Sequence, residues 1–341
     1  MPDGVNTLPL SNPSDDRPPS VAVYGAGAVG CYFGAKLAEA GTPVTLIGRA
    51  AHVDAIRRDG LLFESAGAQR RIRIDAETRP EAVRDADVVL FCVKTRDTDA
   101  AARQVAPLLR PGAVIVSLQN GVDNVERMRD SGIDALGAVV YVAAAMTGLG
   151  HLRHSGRGDL VVGECGRQPL EPGAGAASAK AETPEASPSP RTLEIARLFE
   201  GAGVPCRVEA DVRPALWDKL VMNCAYNAIS ALGRSRYGAI VDDADVRALM
   251  RETIEECVAV ARADGVPLAE ASAHYDAALR LGEAMREASS SMEQDLANGR
   301  RTEIDSLNGY VVGRGAALGV ATPANRVLTT LVRLLERSVA R

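Results

Sequence analysis

The chain has 341 residues with a formal net charge of −5, and 46% of its residues are apolar. This length predicts two domains of ordinary size, and the acidic balance argues against nucleic acid or an anionic membrane as the main partner. No apolar run reaches the ~18 residues that span a bilayer, and the N-terminus lacks a secretory pattern, so we expect a cytoplasmic protein. Six scattered cysteines without a Cys-x-x-Cys pair predict buried thiols, not a disulfide frame or a metal site.

The first part of the chain predicts a βαβ unit. Residues 1–20 are rich in Pro, Ser and Asp and predict a disordered tail. The apolar run that begins at Val21 predicts a strand, residues 31–38 predict a helix, and residues 43–49 predict a second strand. Two strands separated by one helix over ~30 residues are expected to be parallel, with a right-handed connection.

Glycines with the spacing Gly-x-Gly-x-x-Gly join this first strand to the helix. Gly25 permits the tight turn, Gly27 lets the backbone approach a pyrophosphate, and Gly30 lets the helix pack closely on the sheet. The diphosphate would sit on the free N–H groups of the helix N-terminus. The alternative is a glycine-rich turn with a structural role only. The predicted cofactor-binding loop comprises Gly25, Ala26, Gly27, Ala28, Val29 and Gly30.

The tip of the second strand bears on the choice of cofactor. Enzymes that use NAD usually place an acidic residue here for the ribose 2′-hydroxyl, whereas an arginine suits a 2′-phosphate. The chain has Arg49 at this point and no acidic residue before Asp54. Because a guanidinium binds phosphate with two hydrogen bonds, we predict NADP(H). The alternative is a surface arginine that starts the next helix.

The following residues continue the alternation of strands and helices. Polar residues at the carboxyl ends of parallel strands are where an open α/β sheet binds its ligand. Lys94 and Asn120 fall at two such ends, so we predict that both face a ligand. Helices are predicted at 50–59, 98–109, 122–129 and 191–201, and strands at 61–64, 71–74, 87–93, 113–118, 138–143 and 205–208.

Residues 151–190 offer no convincing site. His151 and His154 have a spacing that metal ligands can adopt, but no third ligand lies near them in sequence, and we interpret them as residues of a strand pair. Residues 166–190 are dense in Pro, Ala, Gly and Ser and predict a flexible loop inside the domain.

From residue 210 the strand signals almost vanish, which predicts an all-α domain over 210–341. Its first helix carries Lys219, Asn223 and Asn227 at positions i, i+4 and i+8, on one slowly drifting stripe. Because apolar residues surround them, these groups are costly unless they cap neighbouring elements or face a cleft, and we favour the cleft. Glu303 is either a carboxylate in a helix's first turn or a residue of the same cleft. Helices are predicted at 212–232, 243–264, 267–286, 302–318 and 323–338.

Together these motifs resemble the ketopantoate reductases (2-dehydropantoate 2-reductases), over nearly all of residues 21–335. The glycine motif is generic, whereas the lysine helix with the later Thr-Glu-Ile-Asp stretch is much more specific. The segments that carry the resemblance are Gly25-x-Gly27-x-x-Gly30, Val93-Lys94-Thr95, Gln119-Asn120-Gly121, Trp217-x-Lys219-Leu220-x-x-Asn223-x-x-x-Asn227, Ser290-Ser291-Met292-x-Gln294-Asp295 and Thr302-Glu303-Ile304-Asp305-x-x-Asn308-Gly309.

The resemblance implies an α/β Rossmann-type parallel-sheet domain over 21–209 that binds NADP(H), and an all-α substrate and catalytic domain over 210–341. It implies reduction of 2-dehydropantoate to (R)-pantoate with NADPH, on the route to pantothenate and coenzyme A. The substrate would bind in the cleft between the domains.

Individual residues take roles from the same resemblance. Lys219 matches the catalytic lysine and would act as general acid, while Glu303 would position it or hold the substrate's hydroxyl. Two alternatives stay open: a related NADP-dependent reductase of another 2-oxo acid, and a non-catalytic NADPH-sensing protein. We expect a small 2-oxo acid as partner and a monomer or homodimer. The remaining matches are Asn120, Asn223, Asn227 and Ser291 for the substrate, and Arg49, Lys94 and Asn120 for the cofactor.

Overall fold

The computed structural model describes residues 18–166 and 187–339 of the chain. Most of the predicted tail (1–17) and most of the predicted flexible loop (167–186) lie outside the described residues. No helix in the described part is long and apolar enough to cross a membrane.

The first of two compact units comprises residues 18–166 with 187–213 and is built on one sheet. Its strands are β1 (Val21–Tyr24), β2 (Val44–Ile47), β3 (Leu61–Ser65), β4 (Ala68–Ile72), β5 (Asp75–Glu77), β6 (Val88–Phe91), β7 (Val114–Ser117), β8 (Ala135–Gly148), β9 (His151–Glu164) and β10 (Cys206–Asp211). Its helices are α1 (Ala28–Glu39), α2 (Ala50–Asp59), α3 (Thr98–Val105), α4 (Asn124–Arg129) and α5 (Pro190–Gly201). The strand order is β4-β3-β9-β8-β7-β6-β1-β2-β5, and β10 pairs with β9.

The centre of the sheet is parallel, which confirms the Rossmann-type prediction. β1 pairs in parallel with β2 on one side and with β6 on the other, and β6 pairs in parallel with β7. The chain therefore leaves β1 toward one edge and later returns to β1's other side, which makes a topological switch point between β1 and β6. Every residue of β1, β6 and β7 is buried, as expected of parallel strands covered on both faces.

One end of the sheet departs from the parallel prediction. β8 and β9 pair antiparallel, and so do β3 and β4, which form a hairpin. The sequence predicts only residues 138–143 of β8, because the run of β-branched residues ends at Val142 and is followed by alanines, which are depleted in strands. In the structure this outer half alternates between exposed and half-buried residues. The short strand β5 was not predicted, since two of its three residues are acidic.

Helix α1 packs unusually close to the sheet. It begins at Ala28, three residues before the predicted start. A Cβ at Gly30 would lie 2.8 Å from the Val23 side chain, and a Cβ at Gly34 would lie 2.8 Å from the Leu46 side chain. The two glycines, one helical turn apart, therefore let α1 sit directly on β1 and β2.

The second unit, residues 214–339, is helical, as predicted. Trp217 and Tyr226 are among the largest fully buried side chains. The cysteines of both units are free thiols: five of the six are buried, as predicted, and Cys92 is half-buried. The helices are α6 (Arg213–Gly233), α7 (Tyr237–Asp242), α8 (Ala244–Ala263), α9 (Ala271–Ala284), α10 (Ser291–Ala297), α11 (Asn308–Leu318) and α12 (Pro323–Val339).

Two parts of this unit differ from the prediction. The short helices α7 and α10 were not predicted, because each has only six or seven residues and is too brief to show a helical period. The predicted helix over 302–318 is divided into a 3-10 helix at Ile304–Ser306 and α11. Leu307 has φ −111° and ψ −106°, which interrupts the helix between the two pieces.

Candidate active site

The glycine loop leaves β1 at the switch point and turns at once into α1. Gly25 has φ +114°, and a Cβ there would lie 2.7 Å from backbone atoms of Cys92 and Val93. The N–H groups of Gly25 and Ala26 both donate to the Ile47 carbonyl, at 3.0 and 2.9 Å. Gly25 is therefore required both by its backbone conformation and by the close approach of the chain that follows β6.

Gly27 differs from Gly25 and Gly30 because no described residue requires a glycine there. Its φ of −87° suits any residue, and a Cβ would meet no heavy atom of residues 18–166 and 187–339 within 4 Å. Gly27 is the N-cap of α1, and no side chain in the described part of the chain caps this helix end. The first N–H groups of α1 thus border open space, which is the arrangement that a bound diphosphate uses.

Arg49 lies beside this loop. Gly48, directly before it, approaches Ala26 so closely that a Cβ at Gly48 would lie 2.8 Å from the Ala26 Cβ. Arg49 is exposed and forms the N-cap of α2. The neighbouring His52 accepts a hydrogen bond at Nδ1 from the Gly150 N–H (3.0 Å), and burial, with the charge of Arg49, lowers the pKa of His52. Because a lowered pKa favours the neutral form of His52, Arg49 is the positively charged residue of this pair beside the glycine loop.

A network of buried polar groups holds Asn120 and the two neighbours of the exposed Lys94, Val93 and Thr95. The Asn120 carbonyl accepts from the Thr95 hydroxyl and from the Asn124 side-chain amide, each at 2.7 Å. The Gln119 side chain donates to the Thr98 hydroxyl (2.7 Å) and accepts from Ser117, and Thr98 donates to Asn124 (2.9 Å). The loops after β6 and β7 are therefore fastened to each other.

The strand registers bring these residues to one edge of the sheet. Tyr24 is paired with Ile47 and with Phe91, and Phe91 is paired with Ser117. The glycine loop, Arg49, Lys94 and Asn120 each follow one of these four strand ends. The first unit therefore gathers the residues predicted for the cofactor at the edge where open α/β sheets bind ligands.

The histidines of β9 take part in strand contacts. His151 Nε2 lies 3.0 Å from Glu64 Oε2, and His154 Nδ1 lies 3.0 Å from Ser65 Oγ. Among residues 18–166 and 187–339, no group of three or more His, Cys, Asp or Glu side chains is placed to hold a metal ion.

In the second unit, α6 carries the predicted catalytic stripe. Lys219 and Asn223 are half-buried, and Asn227 is 5% exposed. Helix positions i, i+4 and i+8 place the three side chains along one side of α6. Around them, Leu220, Val221 and Cys224 are fully buried in the helical core.

Ser291 is brought to the Asn227 turn of α6 by the residue before it. The Ser290 hydroxyl donates to the Asn227 carbonyl (3.2 Å) and accepts from the Glu293 N–H (3.0 Å), which caps α10. The Ser290 N–H in turn donates to the Ser230 hydroxyl at 3.2 Å. Ser291, the first residue of α10, is exposed beside this junction.

Glu303 is fastened to α6 through the residues around it. It is half-buried and is the N-cap of the 3-10 helix at 304–306, so it lies at a helix start, although this helix is not the predicted one over 302–318. The Asn308 side chain donates to the Cys224 carbonyl of α6 at 3.3 Å. On the other side, the N–H and hydroxyl of Thr302 both donate to Glu336, at 2.7 and 2.6 Å.

The predicted site residues thus fall into two sets, one in each unit. The sequence motifs contain three of the residues that hold them, Gln119, Ser290 and Asn308, although their supporting roles were not predicted. Thr98 and Asn124 also support the site, but they lie outside the motifs in polar stretches that carry no signal of a buried role.

Known proteins share this organisation. The model of the family described as ketopantoate reductase PanE/ApbA matches residues 21–167, and the model of its C-terminal part matches residues 211–336. A 2-dehydropantoate 2-reductase of Halobacterium salinarum is 34% identical over 322 residues, which cover 93% of this chain and 99% of that protein.

Solved structures of known proteins have the same fold. A PanE/ApbA family ketopantoate reductase from Ralstonia eutropha JMP134 is 45% identical, with a TM-score of 0.83 and coverage of 94% of this chain and 100% of that one. A D-mandelate dehydrogenase solved with NADH and anilino(oxo)acetate is 22% identical, with a TM-score of 0.81 and coverage of 94% and 100%, which shows a shared fold.

The fold and these matches define a class, the Rossmann-type oxidoreductases with a helical second unit. Within that class, the chain belongs to the ketopantoate reductase PanE/ApbA family. The resemblance inferred from the motifs is confirmed.

Proposed function

We propose that this protein reduces 2-dehydropantoate to (R)-pantoate, with NADPH as the reductant and Lys219 as the general acid. The observation that carries the proposal is the organisation of α6. This helix holds Lys219, Asn223 and Asn227, and hydrogen bonds join it to the segments that present Ser291 and Glu303. A chain with a sensing role alone has no use for a proton donor surrounded by polar groups of this kind.

The residues at the sheet edge fit the proposed cofactor. The uncapped start of α1 and the open space at Gly27 suit the diphosphate. Arg49 suits a 2′-phosphate, since a guanidinium forms paired hydrogen bonds with phosphate oxygens. Lys94 and Asn120 would contact the remainder of the cofactor, and Asn120 also the substrate.

Reduction of the ketone requires a hydride at carbon and a proton at oxygen. NADPH supplies the hydride when bound. The Lys219 ammonium would stabilise the negative charge that develops on the carbonyl oxygen and donate the proton. Glu303 would orient the ammonium or bind the substrate's hydroxyl, while Asn223, Asn227 and Ser291 would bind the carboxylate and hydroxyl.

The experiment is a panel of 2-oxo acids assayed by the loss of NADPH or NADH absorbance. We expect 2-dehydropantoate to give the highest kcat/KM, and NADPH to be preferred over NADH. The panel should contain phenylglyoxylate, because a D-mandelate dehydrogenase shares the fold. A higher kcat/KM for another acid would replace the proposed substrate, and binding of NADPH without turnover of any acid would favour the sensing alternative.

A further inference from the structure

A buried histidine is bonded to the residue that precedes Lys219. His274, on α9, is 7% exposed. Its Nε2 lies 2.9 Å from the Asp218 carboxylate of α6, and its Nδ1 lies 3.2 Å from the backbone carbonyl of Glu270. Neither the motifs nor the proposed reaction assigns this residue a role.

The two partners determine the protonation state of the ring. A carbonyl oxygen and a carboxylate oxygen both accept hydrogen bonds, whereas a neutral imidazole has only one N–H. Both contacts are satisfied together only when His274 is an imidazolium. In agreement, the hydrogen bond to Asp218 raises the pKa of His274, although burial opposes it.

The charges around the ring leave Asp218 as its counter-ion. Arg262, on α8, lowers the pKa of His274, but its guanidinium is bonded to the Glu270 carboxylate at 2.8 and 3.2 Å. These two charges therefore largely offset each other near the ring. The Asp218 side chain is 53% exposed, so the pair exchanges protons with solvent.

The pair holds the turn of α6 that carries Lys219. Asp218 is bonded to α9, and Trp217, immediately before it, is fully buried and packs on the Tyr310 ring of α11 at 5.9 Å between centroids. The backbone just before Lys219 is thus fixed against two neighbouring helices. A long, flexible lysine side chain can place its ammonium reproducibly only from a fixed backbone.

We propose that His274, as an imidazolium bonded to Asp218, is a positioning residue that sets the place of Lys219 for proton transfer. The inference rests on the proposed function, because it assigns His274 a role in that reaction. Loss of the imidazolium would free this turn of α6 while leaving the cofactor residues of the first unit untouched.

The kinetic test compares His274→Ala, His274→Gln and Asp218→Asn with the wild type from pH 6 to pH 9. We expect His274→Ala to lower kcat by roughly tenfold or more, because small misplacements of a reacting group are costly, with the KM for NADPH unchanged. Glutamine can still donate to Asp218 but does not titrate, so His274→Gln should recover part of the loss and remove the wild-type decline in kcat that follows His274 deprotonation. His151→Gln, a histidine of β9, is the matched control and should behave as the wild type.

Proton NMR of the four histidines provides a readout that does not depend on turnover or on a destabilised variant. The His274 resonance should titrate above the ordinary histidine value of about 6.5, and Asp218→Asn should lower its pKa. Wild-type kcat in folded His274→Ala at every pH, or a His274 titration that Asp218→Asn does not change, would overturn the inference. If the wild-type protein reduced no 2-oxo acid while the NMR result held, the proposed function would fail and the pair would stand.

Discussion

At the scale of single residues, the three glycines of the loop serve three different physical needs. Gly25 is required by its positive φ and by the Cys92–Val93 backbone, and Gly30 by the contact of α1 with Val23. Gly27 has neither constraint among the described residues, which agrees with its proposed role of leaving space for the diphosphate. The sequence spacing predicted the roles of Gly25 and Gly30 in the fold, and the structure confirms both, whereas the role of Gly27 toward a diphosphate stays a prediction.

Gly27→Ala should therefore separate binding from folding. We expect its melting temperature to stay close to that of the wild type, since the new Cβ meets no atom of the described residues and costs at most about 1 kcal/mol as a poorer N-cap. The Kd for NADPH should rise by roughly tenfold, because the methyl group intrudes on the diphosphate. Isothermal titration and thermal unfolding measure the two effects. Gly25→Ala, whose Cβ would collide with backbone, should instead fail to fold; normal NADPH affinity in Gly27→Ala would contradict this account.

Lys219→Ala should slow catalysis strongly without weakening the binding of NADPH. We expect kcat to fall by about 10²–10⁴, the usual contribution of a positioned proton donor, and the Kd for NADPH to remain unchanged. Lys36→Ala, a lysine of α1, is the matched control and should keep its kcat within about twofold of the wild type. Near-normal turnover in Lys219→Ala would show that Lys219 is not the general acid.

At the scale of elements, the sequence predicted most helices and strands that have a clear period. It failed where tertiary bonds decide the conformation. The stretch around Glu303 has helical composition, yet Thr302 is bonded to Glu336 and Asn308 to Cys224, and these contacts accompany a broken helix. The motif thus identified Glu303, while its structural setting depended on residues far away in sequence.

The contact between α6 and α9 should make stability depend on pH. Hydrogen bonding raises the folded-state pKa of His274 above its unfolded value of about 6.5. The pair therefore contributes its full stability below the unfolded pKa and loses it as the pH rises through the folded pKa. The difference in free energy of unfolding between the wild type and His274→Gln should be largest near pH 6 and shrink toward pH 9. Urea unfolding of both proteins at pH 6 and at pH 9 measures this difference. A difference that grows with pH would contradict the stabilising role of the imidazolium.

At the scale of the whole molecule, the proposed reaction uses residues from both units. The first unit supplies the glycine loop and Arg49, which could be predicted because the βαβ pattern is local in sequence. The second supplies Lys219 and Glu303, which are separated by more than eighty residues, so their common role came from the family resemblance and not from periodicity. The two models of the ketopantoate reductase family match one unit each, so the residues predicted in both units belong to the same family.

This division of roles predicts how NADPH changes the stability of the whole protein. A ligand that binds only the folded state at a hundred times its Kd stabilises by about 2.7 kcal/mol. Lys219→Ala should show this full increase, because in the proposed reaction the lysine acts on the substrate and not on the cofactor. Arg49→Ala, if it weakens NADPH binding about tenfold through the lost 2′-phosphate contact, should show only about 1.4 kcal/mol at the same concentration. Thermal unfolding with and without NADPH measures both, with Arg58→Ala on the exposed side of α2 as the control. An equal NADPH response in Arg49→Ala and the wild type would show that Arg49 does not bind the 2′-phosphate, whereas NADH should stabilise both to the same extent.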